Sequence, residues 1–229
     1  MHRPLHLFLL LFLLGTCGCG LATYESKMEE EQDRIKSLDE ESANLDGPVD
    51  FPEVKEGNKV LIKKTDVFFR PPRGISRKFE KNPPNPLFSV YSGRGQFKQV
   101  MLAVTTKQTL AAEKRSEEDF PKAVLSALGA GSMTLGKRRV EQRAARPPRE
   151  VALQTARIDD AGRGTTYVAN FYKDKDYLVA VVFEVSGDLK KVDGVVDLSL
   201  ATLYAGSRAR DQHARSKAPP PPAPSGKGK

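Results

Sequence analysis

The chain has 229 residues, a formal net charge of +8, no tryptophan and 7% aromatic residues, so a platform for stacking sugars or bases is not expected. Residues 51–206 are enough for one hydrophobic core and too few for two. Both cysteines (Cys17, Cys19) and all three histidines (His2, His6, His213) lie near the ends of the chain. A body without them has no Ser-His-Asp or Cys-His chemistry and no imidazole or thiolate metal ligands, so zinc, copper and haem are not expected.

The positive total hides an uneven distribution. Residues 20–50 carry three cations (Lys27, Arg34, Lys36) against ten anions, a local −7, while residues 51–150 carry 21 cations against ten anions, or +11. Residues 151–200 come to −2 and residues 201–229 to +5. The chain is an acidic stalk followed by a basic body and a basic tail.

In chain order, the first element is an export signal. Arg3 precedes an apolar run over residues 5–14, broken only by His6, and Gly15-Thr16-Cys17-Gly18-Cys19 follows. That run is about half the ~20 residues of a spanning helix. The residues before Cys19 resemble the lipobox of bacterial lipoproteins, with Cys17 as the alternative acylation site. Acyl chains at that cysteine would hold the chain on a membrane, each buried CH₂ contributing about 0.8 kcal/mol. An uncleaved anchor and an unlipidated secreted product are the competing readings.

Residues 24–45 predict a helix. Tyr24, Met28, Ile35, Leu38 and Leu45 fall on a seven-residue repeat whose two gaps hold Glu31 and Ser42, and Glu30 and Arg34 pair at i,i+4. The expectation is a solvated or edge-packed helix near the membrane, with a weak oligomerising stalk as the alternative. Gly47-Pro48 ends it.

Short strands follow at Val60-Leu61-Ile62 and Val67-Phe68-Phe69, and Pro83, Pro84 and Pro86 mark a loop. Residues 87–91 and 97–104 predict a hairpin around Gly93-Arg94-Gly95, with Val100, Leu102 and Val104 on one face. Ser116-Glu117-Glu118-Asp119 reads as a helix start with a hydroxyl cap; Phe120, Val124, Ala127 and Leu128 form the apolar stripe, stopped by Gly129 and Gly131. Residues 151–158 predict a strand and 159–164 a loop. The strongest pair is 165–172 with 177–185, joined through residues 173–176. In the latter strand Tyr177, Val179, Val181, Phe183 and Val185 face one way and Leu178, Ala180 and Val182 the other, so it is expected to be central and covered on both faces. Residues 195–204 predict a closing helix with Val196, Leu200, Leu203 and Tyr204 as its stripe. Beyond Gly206 the composition predicts a disordered, basic, proline-rich tail.

The fold class expected is α+β, an antiparallel sheet with one or two packed helices, preceded by a separate N-terminal helix. The divisions are a signal peptide over 1–18, the lipid-bearing cysteine and acidic helix over 19–50, a globular domain over 51–206 and the tail over 207–229.

Three motifs bear on chemistry. Gly131-Ser132-Met133-Thr134-Leu135-Gly136-Lys137 matches G-x-x-x-x-G-K, but Arg138 stands where Ser or Thr should hold Mg²⁺, and a helix precedes it, so nucleotide binding is not expected. Asp159-Asp160 and Asp174/Asp176 are candidates for acid–base work on envelope polymers, where a glycosidase needs two acids roughly 5–9.5 Å apart. Both pairs lie at predicted turns, where Asp serves local hydrogen bonds. Lys137, Arg138, Arg139, Arg143, Arg146 and Arg149 form a basic stretch; on a helix Arg139, Arg143 and Arg146 would share one face and meet an anionic envelope polymer. Nucleic acid is not an expected partner in an exported protein.

Two resemblances follow from these residues. Gly18-Cys19-Gly20-Leu21-Ala22-Thr23-Tyr24-Glu25, the acidic helix, and Phe68-Phe69-Arg70-Pro71-Pro72-Arg73-Gly74-Ile75 resemble a group of uncharacterised lipoproteins from planctomycete-type bacteria, a likeness that implies no activity. The order of elements over residues 67–206 is similar to the PsbP-like α/β/α sandwich, which implies binding or assembly rather than catalysis. The expected function is a lipid-anchored cell-envelope protein that binds an anionic polymer or another envelope protein without a cofactor. A carboxylate-dependent hydrolase is the alternative.

Overall fold

The computed structural model describes residues 18–129, 135–142, 149–160 and 162–217. The chain divides into two compact units, residues 1–42 and 43–229. The first contains most of α1 (Gly18–Asn44), a 27-residue helix that begins six residues before the predicted start. Residues 1–17, the expected signal and Cys17 among them, lie outside the described part, and Cys19 falls in the first turn of α1.

The second unit is built on a six-stranded antiparallel sheet of β4 (Ser89–Ser92), β5 (Phe97–Thr106), β6 (Gly136–Gln142), β7 (Arg149–Asp160), β8 (Thr165–Asp174) and β9 (Tyr177–Ser186). Their spatial order is β4-β5-β9-β8-β7-β6. β9 is central, as its two apolar faces require. Val179, Ala180, Val181, Val182 and Phe183 are all fully buried. Odd-numbered residues of β9 join one core with Phe69, Val100, Leu102, Val168, Val196 and Leu200. Even-numbered residues join a second core with Met101, Ala103, Leu110, Phe120 and Val124. Each fully buried Val or Phe contributes about 1.5–3 kcal/mol.

A helical layer covers each face. α2 (Lys107–Ala112) and α3 (Asp119–Ala127) supply Leu110, Phe120, Val124 and Leu125 to one side. α4 (Asp193–Ala201) supplies Val196, Leu200 and Ala201 to the other. The result is an α+β three-layer arrangement, as expected from the sequence. Polar side chains buried within it include Asn170 and Ser199, both fully buried. Asn170 donates from Nδ2 to the carbonyls of Val168 (3.2 Å) and Val181 (3.4 Å), and accepts from the Thr155 hydroxyl, so its burial leaves no orphan.

Two small ribbons complete the unit: β1 (Val54–Glu56) with β2 (Lys59–Ile62), and β3 (Val67–Phe68) with β10 (Tyr204–Ala205). Residues 43–50 fold with this body. Val49 N–H donates to the Phe69 carbonyl at 3.0 Å, and Asp50 N–H to that of Arg77 at 2.8 Å. In the β4–β5 turn a Cβ on Gly93 would lie 2.3 Å from Ile75 Cδ1 and 2.5 Å from the Phe97 carbonyl oxygen, so only glycine fits.

Several expectations change. Asp159 and Asp160 end β7 rather than opening a loop, and Lys173 and Asp174 stay paired, leaving Lys175-Asp176 as the turn. The start of α3 is capped in the opposite sense to that expected: Asp119 Oδ2 accepts from Ser116 N–H (2.7 Å) and Oγ (2.8 Å). The closing helix stops at Ala201, because Tyr204 and Ala205 pair with β3.

The largest change is at the C-terminus. Residues 207–217 are not a disordered tail: Gly206–Lys217 forms α5. Gly206, at φ +63, makes the turn into it with a Tyr177 ring carbon 2.9 Å from where a Cβ would stand. Ala209 is fully buried against Phe68 and Tyr204. His213 Nε2 lies 2.8 Å from the Val67 carbonyl oxygen, with its ring edge-on to Phe68 at 5.0 Å. Arg210 Nε reaches buried Asp66 Oδ1 at 3.4 Å. The body therefore does contain a histidine, used for docking. Residues 218–229 lie outside the described part.

Phe183 is fully buried between Phe69 (6.2 Å) and Phe97 (6.1 Å). Phe183→Ala should lower unfolding stability by about 3–5 kcal/mol, read as a lower denaturant midpoint at unchanged slope. A loss no larger than that of an exposed alanine substitution would contradict the packing described.

Candidate functional site

The basic stretch is a strand where it is described, not the helix that would have aligned Arg139 with Arg143 and Arg146. β6 pairs with β7 over seven positions, from Gly136 opposite Thr155 to Gln142 opposite Arg149. Successive strand residues face opposite ways, so Arg138 and Arg139 part company. Arg138 lies on the face packed by α4, while Arg139 points outward and pairs with Glu150 at 3.3 Å. Lys137 is exposed, Arg149 opens β7, and Arg143 and Arg146 lie outside the described residues. The expected cluster of six cations is not brought to one surface among the described residues.

Arg138 belongs instead to a four-residue network. Its side chain is 15% exposed and its Nε donates to Asp197 Oδ1 at 2.5 Å. Its Nη2 lies 3.8 Å from Asp193 Oδ1, and Arg157 Nη2 reaches Asp193 Oδ1 and Oδ2 at 3.1 and 3.0 Å. Both acids stand in the first two turns of α4, where negative charge also suits the helix dipole. The network holds that helix on the sheet. Burial raises the Asp197 carboxyl above its ordinary value, and Arg138 pulls it back down. A raised acid holds its proton more tightly when folded. Its contribution therefore favours folding at low pH and fades as pH rises through the folded value.

Three of the four candidate aspartates for hydrolysis, Asp159, Asp160 and Asp174, make structural contacts through their side chains. Asp159 accepts from the Thr166 hydroxyl at 2.7 Å. Asp160 Oδ1 accepts from Gly162 N–H at 3.1 Å and Arg163 N–H at 3.3 Å, an Asx turn. As neighbours on a strand these two face opposite sides of the sheet. Asp174 lies 4.0 Å from Arg208 of α5, and Asp176 accepts from Lys107 N–H through its backbone carbonyl at 2.9 Å. Asp159 and Asp160 therefore do not face each other across a cleft.

A concave surface lies elsewhere. A cleft of about 760 Å³ opens between the β1–β2 ribbon and α2, with Lys55, Lys59, Val60, Gln108, Glu113 and Tyr177 among its lining. Tyr177 gives its hydroxyl to Asp66 Oδ2 at 3.1 Å, and burial, then Asp66, raises its pKa. No sequence signal marks this cleft, because its walls come from residues 54–61, 106–113 and 176–177. Among the described residues there is no group of three His, Cys, Asp or Glu side chains arranged to hold a metal, and no helix long and apolar enough to cross a membrane.

No family model and no curated protein matches the sequence. Among solved structures, the chain is similar to the solution structure of cyanobacterial PsbP (CyanoP) from Synechocystis sp. PCC 6803. The TM-score is 0.40 and the identity 12%, over 67% of this chain and 98% of that one. At that level of likeness nothing is carried from the one protein to the other. The α+β class rests on the strand order and the two helical layers.

Arg138→Ala should move the titration of Asp197, followed by carboxyl-carbon NMR, further above its ordinary value, because the cation that lowers it is gone. A downward or absent movement would contradict the network.

Proposed function

We propose that this is a lipid-anchored cell-envelope protein that works by binding or assembly rather than by catalysis. The observation that carries the proposal is the N-terminal order: Arg3, an apolar run, small residues and Cys19, followed directly by a 27-residue acidic helix. An acylated Cys19 supplies location, facing the periplasm or cell exterior. A helix of that length spans about 40 Å. Its acidity keeps it from lying on an anionic surface, and the basic character of residues 51–150 supplies attraction for an acidic partner.

The assignment of the charged side chains supports the contact reading. Arg138, Arg157, Asp193 and Asp197 fasten α4; Asp66, Arg210 and His213 fasten α5; Asp160 shapes a turn. These groups are spent on holding elements together.

Blocking lipoprotein signal peptidase in cells should accumulate a slower-migrating precursor, and the untreated protein should partition into detergent. Unchanged migration together with aqueous partitioning would overturn the anchor.

A further inference from the structure

Six large apolar side chains stand exposed in the described chain, and four of them lie on α1: Tyr24 (64% exposed), Met28 (45%), Ile35 (52%) and Leu38 (40%). They are not scattered. Counting Glu31 and Ser42, the spacing is 4, 3, 4, 3, 4, which draws one seam along the helix. We propose that this seam pairs with the same seam of a second copy of the chain, as a parallel two-stranded coiled coil standing on the membrane. The proposal rests on the lipid-anchor reading, because the tether is what makes so short a seam sufficient.

The charges beside the seam select the occupant and its direction. Lys27, Arg34 and the buried Glu41 lie on one flank, and Glu25, Gln32 and Asp39 on the other. In a parallel pair the basic flank of each helix lies along the acidic flank of its partner, and Arg34 comes opposite Asp39 of the second copy. An antiparallel pair would set like flank against like flank. The excess acids Glu29, Glu30, Asp33 and Glu40 fall on the side away from the seam, where water solvates them. A bilayer-bound helix carries cations on its polar face, and this one is acidic there.

Glu31 is the weak layer of the seam. Arg34 Nε of the same helix holds its carboxylate at 2.7 Å, so it enters the pairing already partnered. Four apolar layers and two polar ones, Glu31 and Ser42, fall short of the three or four intact heptads that sustain a coiled coil in solution. Acylation at Cys19 would hold every copy with its amino end at the same surface. That fixes the parallel direction and raises the effective concentration.

The test uses the full chain in its native membranes, with a photoreactive benzophenone side chain replacing Met28 or Ile35 on the seam, or Glu29 or Asp33 on the outer side. Two differently tagged copies are expressed together. Illumination should give an adduct carrying both tags from positions 28 and 35 and not from 29 and 33. Arg34→Asp should cut that yield severalfold, and adding Asp39→Arg to it should restore it in part, because Glu31 stays without its Arg34 partner. Equal yields from inner and outer positions, adducts with another protein or with lipid alone, no adduct, or indifference to Arg34→Asp would each overturn the pairing. If the signal-peptidase inhibitor leaves the protein unchanged while the adduct persists, only the anchor reading falls.

Discussion

The body of this protein is organised by the burial of β9 on both faces. A ten-residue strand that alternates Val, Ala, Leu and Phe on both sides cannot sit at an edge or on the surface. It needs a strand on either side and a layer above and below. β5 and β8 provide the strands, α2 with α3 one layer, and α4 the other. A register slip of one residue would exchange the two faces and put Phe183 where Ala180 and Val182 now allow close packing. The frame is thus specified most tightly at its centre, and its outer elements are held by other means.

Those other means are mostly polar. α4 is pinned by Arg138 and Arg157 to Asp193 and Asp197, and by Ser199, whose hydroxyl donates to the Arg70 carbonyl at 2.6 Å. α5 buries little apolar surface beyond Ala209 and depends on Arg210, His213 and the aromatic pair Phe68–Tyr204. Partly exposed ion pairs of this kind contribute little each, about 0–1 kcal/mol. The edges of the body are consequently softer than its core.

The core was legible from the sequence and the periphery was not, for identifiable reasons. The strict period of two over residues 177–185 states strand, centrality and both faces together, and the helix at Asp119 announces itself by acids followed by a 3.6-residue stripe. The segment after Gly206 hides its helix because a single alanine and a histidine four residues on make up its buried face. Composition dominated by Arg, Ser and Gln then reads as tail. Lys137-Arg138-Arg139 misleads differently. Spacing favours a helical face with Arg143 and Arg146, but β6 is an edge strand, where cations are the ordinary protection against stray pairing. The cleft beside α2 is assembled from three distant segments, so no local pattern could show it. The exposed stripe on α1, by contrast, is fully written in residues 24–42.

Native-state hydrogen exchange of the full chain measures the central constraint most directly. Amides of Tyr177–Ser186 should exchange last, at the rate of global unfolding, while those of Gly206–Lys217 exchange earlier through local release of α5. Exchange of the β9 amides as early as those of α5 would contradict a fold built outward from that strand.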